Sequence, residues 1–456
     1  MTAIESINPA NGEKVGEYSE MSAGEAATVV ERAHAAHLEW KRTSFAHRGG
    51  LMRRASALLR ERAGEYAELM AREMGKPLAA GRSEAEKCAW VCDHYADHAA
   101  DFLADEEVDT EARRSFVAYR PLGVVLAVMP WNFPFWQVFR FAAPGLMAGN
   151  AGVLKHASNV FGCAVAIEDV FHQAGFPADV FRTLLIGSKK VDAVIEHPKL
   201  AAVTLTGSTP AGKAVAAKAG ECLKKTVLEL GGSDPYVVLA DADLEATVEA
   251  CVTSRLINSG QSCIAAKRFI VVEAVADEFE RRFVALMKEK RMGDPFADGT
   301  DVGPQARVDL RDDLHEQVAK SVERGAKLLL GGEVPEKQGA WYPPTVLSGV
   351  GPGMPVYDEE TFGPVAAIVR VADEEEAIRA ANDTPFGLGA AVFTGDVERG
   401  ERIAAERLEA GCCFVNSFVK SDPRLPFGGI KESGYGRELG VFGIREFVNV
   451  KTVWVE

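Results

Sequence analysis

Apolar positions near the start of the chain recur at helical spacing. Ser22-Ala-Gly-Glu25 has the spacing of a capping box, and Ala26, Val29, Val30, Ala33, Ala36 and Leu38 repeat behind it with the period of a helix that buries one face. Two longer helices are predicted over about 46–74 and about 83–103, so the first hundred residues read as helical. From Glu106 to Arg120 the chain is charged and then alternates at Phe116, Ala118 and Tyr119, which suits a hairpin projecting from the body.

The pattern changes at Gly123. Short apolar runs alternate with helical stretches: 124–128 then 135–147, 152–154 then 161–174, 183–186 then 191–196, and 201–205 then 211–219. Apolar runs without alternation belong to strands covered on both faces, so this order predicts βαβ units and a parallel sheet. A second set of strands follows at 236–239, 269–272, 366–369, 390–393 and 413–415. Helices at 244–258, 274–290, 311–325 and 374–381 separate them. The last residues, 447–455, alternate like a strand that pairs with another element or another subunit. The expected fold class is α/β with two such domains.

Composition narrows the function classes. At about 150 residues per domain, 456 residues make two or three domains. The 51 Lys and Arg against 66 Asp and Glu leave a formal net charge of −15, which argues against a nucleic-acid backbone as main partner. The N-terminus has no basic run or apolar stretch of signal-peptide length. The most apolar region, 123–154, is interrupted by Pro130, Asn132, Pro134, Arg140 and Pro144. Eight scattered cysteines read as reduced thiols, and the nine histidines form no zinc motif. A cytoplasmic protein with no metal and no membrane association is expected.

Four local patterns carry candidate chemistry, each beside a plainer reading. Gly207-Ser-Thr-Pro-Ala-Gly212-Lys213 follows a strand and opens a helix, where free N–H groups and the positive dipole end suit an anion. Ala214 replaces the hydroxyl of a P-loop, and a plain strand-to-helix turn is the alternative. Cys263, after Gly260-Gln-Ser262, is either buried packing or an exposed nucleophile whose surroundings should favour the thiolate. Glu229, at the end of an apolar strand, either caps a turn or, desolvated in a cleft, serves as a general base. Asn132, between Trp131 and Phe133, either belongs to a rigid turn or aims an amide at an oxyanion.

Taken together and in order, PWNFP (130–134), VLK (153–155), TGS (206–208), LELGG (228–232), GQSC (260–263), EETFGPV (359–365) and PFGGIKESGYGRE (426–438) resemble the aldehyde dehydrogenase superfamily over essentially the whole chain. The resemblance implies that Cys263 attacks the aldehyde carbon. Asn132 holds the oxyanion with the Cys263 N–H, and Glu229 activates the water that hydrolyses the thioester. It implies NAD or NADP as cofactor, with contacts from Met129, Trp131, Asn132, Lys155, His156, Ala157, Ser158, Gly187, Gly207, Ser208, Leu230, Glu360 and Phe362. Strictly NAD-preferring members often carry Glu where Ser158 stands, so NADP is expected to be tolerated.

The short chain, the KHAS run (155–158) and the C-terminal motif look most like the short bacterial succinate-semialdehyde dehydrogenases. By that resemblance Phe133, Trp136, Arg140, Ser421 and Phe427 contact substrate, with Arg140 meeting its carboxylate. A second arginine of some members is Ile257 here, and Arg424 or Lys420 would have to compensate. The remaining alternatives are another semialdehyde such as glutarate semialdehyde, a neutral aliphatic aldehyde, or a non-catalytic nucleotide-binding protein. The implied organisation is a dinucleotide-binding domain (1–105 and 121–231), a catalytic domain (232–432) and an oligomerisation element (106–120 and 433–456). An exposed edge strand at 447–455 is a liability unless paired, which points to a homodimer or homotetramer.

Overall fold

The computed structural model describes residues 3–456. Four sheets and the helices that cover them make up the α/β fold. In the six-stranded sheet the order is Gly434–Tyr435, Lys225–Glu229, Leu200–Thr206, Val124–Met129, Ala151–His156 and Phe181–Thr183. The last five are parallel, and Gly434–Tyr435 joins Lys225–Glu229 antiparallel. The first strand in sequence, Val124–Met129, lies in the middle, so the chain winds outward to one side and then to the other. Such a reversal opens a crevice at the carboxyl ends of the strands. Met129, His156 and Thr206 end their strands there.

The seven-stranded sheet runs Lys327–Leu330, Thr345–Ser348, Val365–Val371, Arg268–Val272, Pro235–Val238, Gly389–Phe393 and Cys412–Val415. It is parallel except at its Lys327–Leu330 edge. Apolar residues of both sheets are buried on both faces, as the non-alternating runs require. Glu106–Glu107 and Arg114–Pro121 form the expected hairpin, and Val448–Val455 pairs antiparallel along the full length of Arg114–Pro121. Among the described residues, no helix is long and apolar enough to cross a membrane.

The capping box is present: Ser22 accepts from the Glu25 N–H and the Glu25 carboxylate accepts from the Ser22 N–H, opening Ala23–Trp40. Four expectations are corrected. The start of the chain is not helical, because Ala3–Ile7 and Lys14–Ser19 form an antiparallel hairpin. Its turn holds Gly12 at φ +75°, and Asn11-Gly12 was the signal for it. The single helix over 46–74 is two, Phe45–Glu61 and Ala63–Met74, separated where Arg62 leaves helical geometry. The strand placed at 183–186 is Phe181–Thr183. The helix expected to reach Asn258 ends at Leu256, because Asn258, Ser259 and Gly260 all take positive φ.

Candidate active site

The turn at 258–260 fixes the nucleophile's position. Three consecutive residues in left-handed geometry are costly, and the surroundings hold them there. A Cβ on Gly260 would stand 2.2 Å from the Gly363 carbonyl oxygen, so only glycine fits. Asn258 Nδ2 donates to the Asn132 carbonyl (2.6 Å) and to the Gln261 carbonyl (3.0 Å). Asn132 Nδ2 donates to the same Gln261 oxygen (3.1 Å). An amide nitrogen has two hydrogens, so one N–H of Asn132 is left for a reacting oxygen. These bonds tie the loop after Val124–Met129 to the loop that enters Arg268–Val272.

Cys263 is half-buried and lines a cavity of about 510 Å³. Phe133, Trp136, Arg140, Ser421 and Phe427 line the same cavity, so all five proposed substrate residues share it with the thiol. Burial pushes the Cys263 thiol up to about 12, against the opposing pull of Lys267 and Arg140. Against the expectation of thiolate-favouring surroundings, burial here works toward the thiol, while Lys267 and Arg140 work toward the thiolate. Lys267, buried, donates to the carbonyls of Ser262 (2.9 Å) and Cys263 and lies 3.7 Å from Glu360.

Glu229 and Asn132 are buried and do not line that cavity. Neither Glu229 carboxylate oxygen has a hydrogen-bond partner among the described residues. Burial, then repulsion from Glu438, holds the Glu229 carboxyl well above the usual carboxylate range, with Arg140 opposing. An acid kept neutral by its surroundings becomes a strong base once ionised. The Cα of Gly428 lies directly against it, since a Cβ there would be 2.6 Å from Oε1.

Arg140 is not a free cation. Its Nε is ion-paired with Glu438, both side chains almost wholly buried, and its guanidinium lies 4.7 Å from the centre of the Phe427 ring. Sequence reasoning foresaw that a cation on this apolar helix must meet an anion, but the anion belongs to the chain. Arg424 is exposed and bound to Asp422, and Lys420 is exposed at the cavity's edge.

The proposed cofactor residues gather at the crevice of the six-stranded sheet. Lys155 is buried without a hydrogen-bond partner among the described residues, and burial lowers its pKa. Ser158 is exposed at the head of Ser158–Val160. Gly207 precedes Thr209–Glu221, whose N-cap Ser208 makes no side-chain capping bond, so that helix end keeps free N–H groups. Trp131 meets Phe362 edge-on (centroids 5.7 Å apart), and Glu360 accepts from the Gly232 N–H (3.0 Å). An unpartnered lysine, an open helix N-terminus and a nearby hydroxyl suit a phosphate-bearing dinucleotide. Met129 and Leu230 are buried at strand ends, and the Ala157 N–H donates to the Met129 carbonyl (2.9 Å). The Gly187 N–H donates to Glu20 (2.9 Å). His156 is fully buried with Nε2 on the Pro134 carbonyl (2.9 Å), so its ring braces the 130–134 loop.

Lys267, Asn258, Glu438 and Lys87 were missed. Lys267 had a signal, a charge at the mouth of an apolar strand, and Glu438 lay unremarked inside a quoted motif. Asn258 acts through an unusual backbone conformation. Lys87 lies on Leu78–Phe102, remote in sequence from every motif.

A model of the aldehyde dehydrogenase family matches residues 1–453. The chain is 51% identical over 453 residues, 99% of its length and 100% of the other's, to a protein of Synechocystis named probable succinate-semialdehyde dehydrogenase (NADP+). It is 48% identical to the NAD(P)+ succinate semialdehyde dehydrogenase Sad of Escherichia coli, covering 98% and 97% of the two chains. Among solved structures, the succinic semialdehyde dehydrogenase of Streptococcus pyogenes in complex with NADP+ superposes with a TM-score of 0.97. It shares 37% identity and is covered, like this chain, to 99%.

Proposed function

The chain belongs to the aldehyde dehydrogenase family, and from that premise we propose that it oxidises succinate semialdehyde to succinate with NADP+ or NAD+. The observation that carries this reading is the cavity itself. One wall bears the Cys263 thiol, and others bear aromatic faces together with Lys87, Arg140 and Ser421, which suits a short aldehyde ending in an anion.

Each step has a residue. The Cys263 sulfur forms a bond to the aldehyde carbon as the thiol proton passes to water, and the Asn132 amide with the Cys263 N–H receives the negative charge on oxygen. The nicotinamide cofactor, when bound, supplies the acceptor for the hydride that departs from that carbon. Collapse of the oxyanion leaves a thioester on Cys263. Glu229 takes a proton from water as its oxygen attacks the thioester, and the carbon–sulfur bond breaks to release the acid. Lys155, Ser158, Gly207 and Ser208 hold the phosphate-bearing half of the cofactor, while Glu360 and Phe362 position its reacting end.

The reading extends to the whole protein. It is a cytoplasmic enzyme with a dinucleotide-binding unit (1–105 and 121–231), a catalytic unit (232–432) and an oligomerisation element (106–120 and 433–456). It assembles as a homodimer or homotetramer. Supporting this, Val448–Val455 is an edge strand that exposes Val450, Trp454 and Val455. Light scattering of the purified enzyme tests the assembly, and a monomer would remove it.

Initial rates of nicotinamide reduction with succinate semialdehyde and with propionaldehyde, each with NADP+ and NAD+, test the function. A kcat/KM at least tenfold higher for the semialdehyde is expected, about 1.4 kcal/mol of carboxylate recognition. Equal values for the two aldehydes would refute the substrate.

A further inference from the structure

Four cations line the cavity, Lys87, Arg140, Lys290 and Lys420, and they are not equivalent. Lys420 is exposed, and of the four Lys87 and Arg140 lie beside Trp136, Ser421 and Phe427. Arg140 is neutralised by Glu438. Lys87 has no carboxylate within salt-bridging distance among the described residues; its ammonium donates to Ser421 Oγ (2.8 Å) and lies 4.4 Å from the centre of the Trp136 ring. An ammonium has three hydrogens and a half-buried site to satisfy them in, so one bond to a hydroxyl leaves it short of partners.

The nearby acids are already engaged. Glu84, one turn earlier on the same helix, is ion-paired with Lys76 and accepts the N–H groups of Phe135 and Trp136 (both 2.9 Å). Asp422, beside Ser421, is held by Arg424 (2.7 Å). Helical spacing puts Ala80, Ser83, Glu84 and Lys87 on the face that lines the cavity, so Lys87 stands there by the geometry of Leu78–Phe102.

We infer that Lys87, with Ser421, is the seat of the substrate's terminal carboxylate, and that Arg140 acts behind it as a positioning residue locked to Glu438. This inference rests on the semialdehyde reading and assigns its specificity to a residue outside the family motifs. A carboxylate in the cavity completes the hydrogen bonding of Lys87 and meets its charge.

The same placement makes recognition pH-dependent. The groups facing Lys87 are Arg140 from the neighbouring helix, Glu84 and Cys88 from its own, and Asp422 from the 421–424 loop. Burial first, then the like charge of Arg140, lowers the Lys87 pKa to about 8. The protonated form binds the anion, so recognition is full below pH 8 and is lost as pH rises through it.

The test is steady-state kinetics of wild type, Lys87→Met and Lys87→Arg with succinate semialdehyde and propionaldehyde, from pH 6.5 to 9.5, ranges set around that pKa of about 8. Lys87→Met is expected to lower the ratio of kcat/KM for the semialdehyde over propionaldehyde at least tenfold, through KM, with Lys87→Arg keeping most of it. In wild type the semialdehyde KM should climb above pH 8, and in Lys87→Met that climb should vanish. A Lys87→Met enzyme with the wild-type ratio, or a flat wild-type KM profile, overturns the assignment. Should Lys87→Met not fold, the wild-type profile and Lys87→Arg still decide it. A wild-type ratio near one sinks the semialdehyde reading instead, before any variant is made.

Discussion

We propose that Ser158 sets the cofactor's charge tolerance at a single position. It stands at the crevice beside buried Lys155, with no acid in the KHAS run. On that proposal a carboxylate there would face a ribose phosphate, and like charges at close range discriminate better than one lost hydrogen bond. Ser158→Glu is expected to raise the KM for NADP+ at least tenfold relative to that for NAD+, measured by initial rates; an unchanged ratio would place the phosphate elsewhere. Residue identities of this kind were open to sequence reading because they sit in ordered motifs. Electrostatic states were not. That the Cys263 thiol is pushed up to about 12, and that Arg140 is already paired, depends on burial and on Glu438, which approaches from nearly three hundred residues away.

The Trp136–Ala148 helix carries Trp136, Gln137 and Arg140 into the cavity wall, yet it has no side-chain cap of its own at Phe135. Glu84, from another helix, accepts its first N–H groups and is ion-paired with Lys76, whose ammonium sits 4.0 Å from the centre of the Phe133 ring. The pair thus anchors both the helix and the loop that presents Asn132. Glu84→Gln leaves a lysine buried without its counter-ion, at a cost of about 3–5 kcal/mol. A lower thermal midpoint and a fall in kcat/KM for every aldehyde are expected, with Lys76→Met/Glu84→Gln recovering much of the stability. A Glu84→Gln enzyme as stable as wild type would refute the anchor. Helices and central strands were legible because their apolar periods are long. The Ala3–Ile7 hairpin strand was not, because five residues with one buried position carry little period and are fixed instead by Ser6 bonding Glu73 (2.9 Å).

At the scale of the molecule, the proposed catalytic residues sit where two sheets meet. Val124–Met129 and Lys225–Glu229 deliver Asn132 and Glu229 from one, and the 258–263 turn brings Cys263 to the start of a strand in the other. Alternation of strands and helices announced both sheets. The cavity between them was hidden, because Leu78–Phe102 supplies a wall from a stretch with no motif. The account stands on the division of labour between Cys263 and Glu229, and the Glu229→Gln enzyme tests it most directly. Mixed rapidly with succinate semialdehyde and NADP+, it should release a burst of reduced cofactor close to one per active site and then slow severely. Mass spectrometry of the quenched protein should find a succinyl group on the peptide bearing Cys263. Linear turnover without a burst, or an adduct on another residue, would contradict the account.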